Sequence, residues 1–182
     1  MSPSGAMMFF SLGQVFWGLL FVILDININR FDFLPDFVGY ILVALGCRGL
    51  ITESTQFSIA GILSWVLAAI DLLGYPMRGS VGPLFGVVSV IVDCAMMWFL
   101  LGGVMELTAS RERADLSARA SNRRMAYVVL MALATLAGFA AQGSRGDALI
   151  VALILVACGL VLLVLILHLI HRVRREIAYD LI

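Results

Sequence analysis

Residues 25–40 read DININRFDFLPDFVGY. They join the end of one apolar run, FWGLLFVIL (16–24), to the start of another, ILVALGC (41–47). Asp25, Asn27, Asn29, Asp32 and Asp36 fall within this link beside a single base, Arg30. Two geometries are open to it. If extended, Asp25, Asn27 and Asn29 alternate onto one side. If helical, Asp25, Asn29, Asp32 and Asp36 share a face, with Pro35 kinking the helix. Either geometry gathers the carboxylate and amide oxygens that hard cations or polar amines prefer. After Pro35, Asp36 suits a helix N-cap.

Working outward, apolar runs recur along all 182 residues, and 62% of the chain is apolar with 13% charged. Soluble domains run near 45–50% apolar and about 25% charged. These runs approach or pass the roughly 20 residues that span a bilayer core. The expected fold class is all-α: a single polytopic membrane domain, 1–182, bundling about six transmembrane helices. Their spans are near 7–28, 36–51, 57–73, 84–107, 125–141 and 148–170, with helix 2 the shortest. Turn-forming residues around Tyr75-Pro76 and Gly79–Pro83 break the chain between helices 3 and 4. An arginine-rich cytoplasmic loop, 108–124, and a cytoplasmic tail, 171–182, complete the chain, and both read as helical extensions. The N-terminus has neither a basic n-region nor a clear cleavage site, so the first apolar run is expected to stay as a helix.

Orientation follows from arginine, because all twelve bases are Arg. With both ends inside, Arg48, Arg111, Arg113, Arg119, Arg123, Arg124, Arg172, Arg174 and Arg175 are cytoplasmic. Only Arg30, Arg78 and Arg145 lie outside, a positive-inside bias. The outer half then carries Asp25, Asp32, Asp36, Asp71, Asp93 and Asp147, an acidic mouth that concentrates cations. A net charge of zero argues against nucleic acid as a partner.

Three helices set an aspartate on a stripe of small or polar residues at helical spacing. These are Ser11, Gln14, Gly18 and Asp25 in helix 1; Ala60, Ser64, Ala68 and Asp71 in helix 3; and Gly82, Gly86, Ser89 and Asp93 in helix 4. Small residues let helices approach closely in lipid, and Gly82-x-x-x-Gly86 is such a contact pattern. A carboxylate inside a membrane usually faces the bundle interior or a water-filled cavity. Asp93, some ten residues into its helix, is the deepest. Asp25, Asn27, Asn29, Asp32, Asp71 and Asp93 are therefore the candidate ligand- or ion-binding residues. For Asp71, packing at the interface is an equal alternative. Trp17-Gly18 before Asp25 and Phe85-Gly86 before Asp93 form a faint echo, consistent with an inverted repeat of three helices. Gly39-Tyr40 and Ala126-Tyr127 extend it.

No sequence signature points to a catalytic residue, a cofactor or a particular metal. There is no H-E-x-x-H, P-loop or G-x-S-x-G motif. Cys47, Cys94 and Cys158 are dispersed through three apolar runs and read as small membrane-buried residues. His168 and His171 have a spacing that could hold a metal, but interfacial packing is the simpler reading. Beyond the bilayer, the partners to expect are a second copy or another subunit, through glycine and alanine stripes or the arginine-rich cytoplasmic segments.

The D-x-N…D-x-L-P-D-x-x-G-Y motif, carried by Asp25, Asn27, Asp32, Leu34, Pro35, Asp36, Gly39 and Tyr40, resembles that of small multi-pass membrane proteins of bacteria. It covers about a fifth of the chain. The resemblance implies a bacterial cytoplasmic (inner) membrane protein and nothing about chemistry. In size the chain is also similar to the substrate-binding membrane subunits of energy-coupling-factor transporters. The leading expectation is a small transporter, channel or substrate-binding membrane subunit with an acidic outward-facing site for a cation or a cationic or polar small molecule. The alternatives are a structural or assembly protein without a ligand and a metal-dependent enzyme acting on a lipid headgroup or diphosphate through Asp32 and Asp36.

Overall fold

The computed structural model describes residues 3–24, 27–28, 31–32, 36–74, 83–141 and 147–179. Six helices carry the fold: α1 (Pro3–Leu24), α2 (Asp36–Arg48), α3 (Thr55–Gly74), α4 (Pro83–Ala109), α5 (Ala114–Ala141) and α6 (Asp147–Tyr179). Between α1 and α2, β1 (Asn27–Ile28) pairs antiparallel with β2 (Phe31–Asp32), with Asn27 opposite Asp32 and Ile28 opposite Phe31. The extended reading of the link therefore holds for these four residues, and a minimal hairpin is added to the expected all-helical fold.

Five helices (α1, α3, α4, α5 and α6) are long and apolar enough to cross a membrane. The thirteen residues of α2 reach only about 20 Å at 1.5 Å per residue, short of a hydrocarbon core of about 30 Å. Among the described residues there are thus six helices, five of them of spanning length.

Local chemistry sets the boundaries. Pro83 opens α4, where its missing N–H costs no helical hydrogen bond. Ser54 caps α3: its Oγ accepts the Gln56 N–H at 3.1 Å. At the end of α4, Arg113 N donates to Thr108 O at 3.0 Å and Glu112 N to Ala109 O at 3.1 Å. That pairing is a Schellman cap, and Glu112 occupies its left-handed position at φ 59°. Most of the arginine-rich stretch 108–124 is helical, in line with its reading as a helical extension, since α5 begins at Ala114. Its alanines, leucine and arginines are good helix formers. The last helix likewise runs past residue 170 to Tyr179, supported by the Arg172 Nε to Glu176 Oε1 contact at 3.0 Å, one turn apart.

The helices close into a ring. Each packs against its sequence neighbours, and α6 returns to α1. The buried centre lies towards the arginine-rich end. Leu12 and Val15 of α1, Cys47 of α2 and Phe57 of α3 meet Leu100 and Val104 of α4 and Ile170 of α6 in one core cluster. In α6 the buried residues fall between Ile166 and Val173, whereas Leu153, Val156 and Val161 are exposed. The ring is therefore tight at the arginine-rich end, and α5 and α6 present broad apolar surfaces towards the opposite end.

The α1–α2 seam is the closest. A Cβ on Gly18 would stand 2.6 Å from Gly39 O, and one on Gly39 would stand 2.7 Å from Gly18 O. Nothing larger than glycine fits either position without the backbones parting.

Candidate functional site

The aspartate end of the ring brings together groups from four helices. Asp93 lies about 15 Å along α4 from its first residue, at 1.5 Å per residue. The hydroxyl of Tyr127 on α5 donates a hydrogen bond to Asp93 Oδ2. Tyr127 is buried and Asp93 half-buried. On α2, the Tyr40 hydroxyl lies within electrostatic reach of Asp36, Asp71 and Asp93, and also of Tyr127. Carboxylates from α2, α3 and α4 thus act electrostatically on one phenol. Among the described residues no basic side chain forms an ion pair with Asp93. An ionised Asp93 receives one hydroxyl hydrogen bond and no countercharge there, an arrangement that favours an arriving proton or cation.

Asp71 does not act as a free ligand group in this arrangement. Its Oδ2 accepts the Phe37 N–H at 2.9 Å, so α3 caps the start of α2 from across the seam. Asp36 itself falls inside the first turn of α2, where a negative charge suits the helix dipole. Of the expected site residues, Asp71 and Asp93 both lie within electrostatic reach of Tyr40. Asp25 and Asn29 lie outside the described residues, and Asn27 and Asp32 are described through their backbone only.

The helix stripes fare unequally. Ala60, Ser64 and Ala68 are buried, as are Ser11 and Gly18, so the helix 1 and helix 3 stripes face protein. On α4 the expectation is corrected. Gly86 is exposed, and a Cβ there would meet nothing within 4 Å. Gly82 lies outside the described residues. Beyond Asp93 and Tyr127, α4 and α5 leave between them a groove of about 440 Å³, lined by Gly86, Val90, Met131, Ala134, Thr135 and Gly138 among others. Gly138 also has nothing within 4 Å of its Cβ position. The small residues here border an opening instead of closing a contact. Gly18, the counterpart of Gly86 in the sequence echo, is locked against α2, so the two positions are not packed alike.

In the sequence, Tyr127 stands out only in that echo, and Tyr40 only there and as the last residue of the D-x-N…G-Y motif. The usable signal was physical: a tyrosine inside an apolar run must find a partner for its hydroxyl. Two such tyrosines and an embedded aspartate imply one another.

A second polar network sits at the arginine-rich end. Glu106 on α4 accepts hydrogen bonds from Ser54 Oγ at 2.5 Å and Gln56 Nε2 at 2.7 Å. The Arg124 guanidinium lies 3.4 Å over the Trp98 ring and is electrostatically coupled to Glu106. Arg172 reaches Asp115 at 3.7 Å, and Arg113 reaches Glu176 at 3.7 Å. Arg111 Nη2 donates to Met8 Sδ at 3.2 Å, and the Arg174 guanidinium lies 4.0 Å over Phe9. These arginines therefore tie helices together, while Arg48, Arg119 and Arg175 are exposed. His171 packs 5.7 Å from the Phe16 ring. Cys47 is buried, Cys94 half-buried and Cys158 exposed, and all three are free thiols. Among the described residues no group of three or more His, Cys, Asp or Glu side chains is placed to hold a metal ion.

Comparison of the chain with protein families, with curated proteins and with solved structures found no match in any of the three.

Proposed function

We propose that the protein is a multi-pass bacterial inner-membrane protein that binds a cation or a cationic or polar small molecule at the aspartate end of its ring, as a small transporter, channel or substrate-binding subunit. The arginine-rich end faces the cytoplasm and the aspartate end faces outward. The observation that carries this reading is Asp93, deep in α4 and bonded to Tyr127, with Asp36 and Asp71 in electrostatic reach of the neighbouring Tyr40. A carboxylate kept so far along an apolar helix is costly, and in membrane proteins such groups mark ion and substrate paths.

The test is a thermal-shift series on the detergent-purified full chain with monovalent and divalent cations and small amines, run beside Asp93→Asn. A ligand that raises the wild-type midpoint and leaves the variant unmoved supports the reading, because binding to the native state adds stability by mass action. Equal shifts in both proteins, or none in either, count against it.

A second reading has its own support. Asp71 caps α2 and Asp93 binds Tyr127, so each carboxylate joins two helices. In a structural or assembly protein those bonds would be the entire purpose of the aspartates. Asp93→Asn would then lower the midpoint, and no added ligand would raise that of the wild type.

A further inference from the structure

We propose that the ligand is an amphiphilic monocation, its apolar tail lying in the α4–α5 groove and its ammonium head at Asp93. This inference rests on the cation-binding reading above and adds the ligand's shape. Three observations carry it.

The first is continuity along one seam. Gly86, Val90 and Asp93 follow one another on α4 at steps of four and three, and Tyr127, Met131, Ala134 and Gly138 do so on α5 at steps of four, three and four. Such steps hold residues on one helix face. Val90 and Met131 line the groove, so its floor is one helical turn from the Asp93–Tyr127 hydrogen bond.

The second is the groove itself. At about 440 Å³ it falls within the usual range for small-molecule sites, and its lining is almost wholly apolar. Thr135, its hydroxyl-bearing side chain, donates to Met131 O at 2.8 Å and asks nothing of a ligand. The width comes from Gly86 and Gly138, whose Cβ positions have no neighbour within 4 Å. A flexible alkyl tail fits such a space, and a hydrated ion gains nothing from it.

The third is charge complementarity. Asp93, one helical turn along α4 from the groove-lining Val90, is half-buried, with one hydroxyl donor and no described basic partner. Asp36 and Asp71 act electrostatically on Tyr40, as Asp93 does. An anionic or neutral head would meet carboxylates, whereas a single positive charge meets its counterion as its tail is buried.

The experiment compares two probes, tetramethylammonium and decyltrimethylammonium, by the concentration that half-maximally shifts the thermal midpoint of the full chain in maltoside micelles. Three proteins are compared: wild type, Asp93→Asn and the double variant Gly86→Leu/Gly138→Leu. The leucines add bulk at two groove-lining positions where a Cβ meets nothing within 4 Å. In the wild type the decyl probe should act at about ten-fold lower concentration than tetramethylammonium, equivalent to roughly 1.4 kcal/mol. The double variant should keep the tetramethylammonium response and lose the ten-fold advantage. Asp93→Asn should lose both responses. If the advantage is absent from the wild type or survives in the double variant, the groove assignment is overturned and the cation site stands. If Asp93→Asn responds to both probes as the wild type does, or the wild type responds to neither, the cation site falls and the groove assignment with it.

Discussion

The α1–α2 and α4–α5 seams use the same residue to opposite ends. In the first, Gly18 and Gly39 bring two backbones together until each glycine's missing Cβ would strike the other's carbonyl oxygen. In the second, Gly86 and Gly138 stand on either side of a groove and touch nothing. Glycine removes a side chain in both seams. What differs is whether the neighbouring helix moves in to take up the space. Along α1–α2 it does. Along α4–α5 the contact is set lower, by the Asp93–Tyr127 bond and the buried run from Met96 to Leu107, and the helices part beyond it. A small-residue pattern therefore specifies available room, and the packing around it decides whether the room is filled.

The same exchange placed in both seams separates them most widely. Gly39→Ala should destabilise by about 3 kcal/mol, because the new Cβ overlaps backbone that has no rotamer to yield. A fall in thermal midpoint and a smaller folded fraction on gel filtration would show it. A neutral result would mean that α1 and α2 are not held this closely. Next in size is the bond below the groove. Tyr127→Phe leaves Asp93 without its donor and should cost about 1.5–3 kcal/mol. Made in an Asp93→Asn background, the same change should cost clearly less, and a double-mutant cycle reads that coupling. Additive effects would show that the bond does not hold the seam.

Gly138→Ala should raise stability by up to about 1 kcal/mol, because alanine is the better helix former and nothing obstructs its methyl. A loss there would put a neighbour where the groove is drawn. The smallest effect is expected outside both seams. Glu112 holds a left-handed conformation at the end of α4, and glycine takes that position without steric cost. Glu112→Gly should raise the thermal midpoint slightly, by less than about 1 kcal/mol, since the freer unfolded chain offsets part of the relief.

Much of the fold was readable because apolar runs and their breaks are one-dimensional signals. The helix starts at Asp36 and near Pro83, and the burial of the Ala60–Ser64–Ala68 stripe, follow directly from them. Helix ends among the arginines lie beyond the apolar runs, where the sequence suggests helical extensions without fixing their bounds. Hydropathy marks where an apolar run stops, whereas arginine and alanine carry a helix further, as in the first turns of α5 and the last of α6. The site was half legible. Asp93 stood out by depth alone. Its partner Tyr127 lies on the next helix, and helix-to-helix register is not written in either run. Asp71 reads from the sequence equally as a ligand group or as an interfacial packing residue, and its role as the acceptor for Phe37 N–H depends on how α3 meets α2. Gly86 was misjudged for the reason the two seams illustrate: its spacing was visible, but the divergence of α4 from α5 was not.

The return of α6 onto α1 has a consequence in time. Arg174 stands 3.2 Å from the Cβ position of Gly13 and lies over Phe9, so the first helix is completed by nearly the last turn made. Each helix up to α5 can settle on its predecessor as it emerges, but α1 must wait for some 160 residues of further synthesis. At about 5–20 residues per second that wait is on the order of ten to thirty seconds. During it, the face of α1 that will receive α6 is open to any other helix in the membrane. Arg174 thus joins the first helix to the last, in a contact that can form only once α6 has been made.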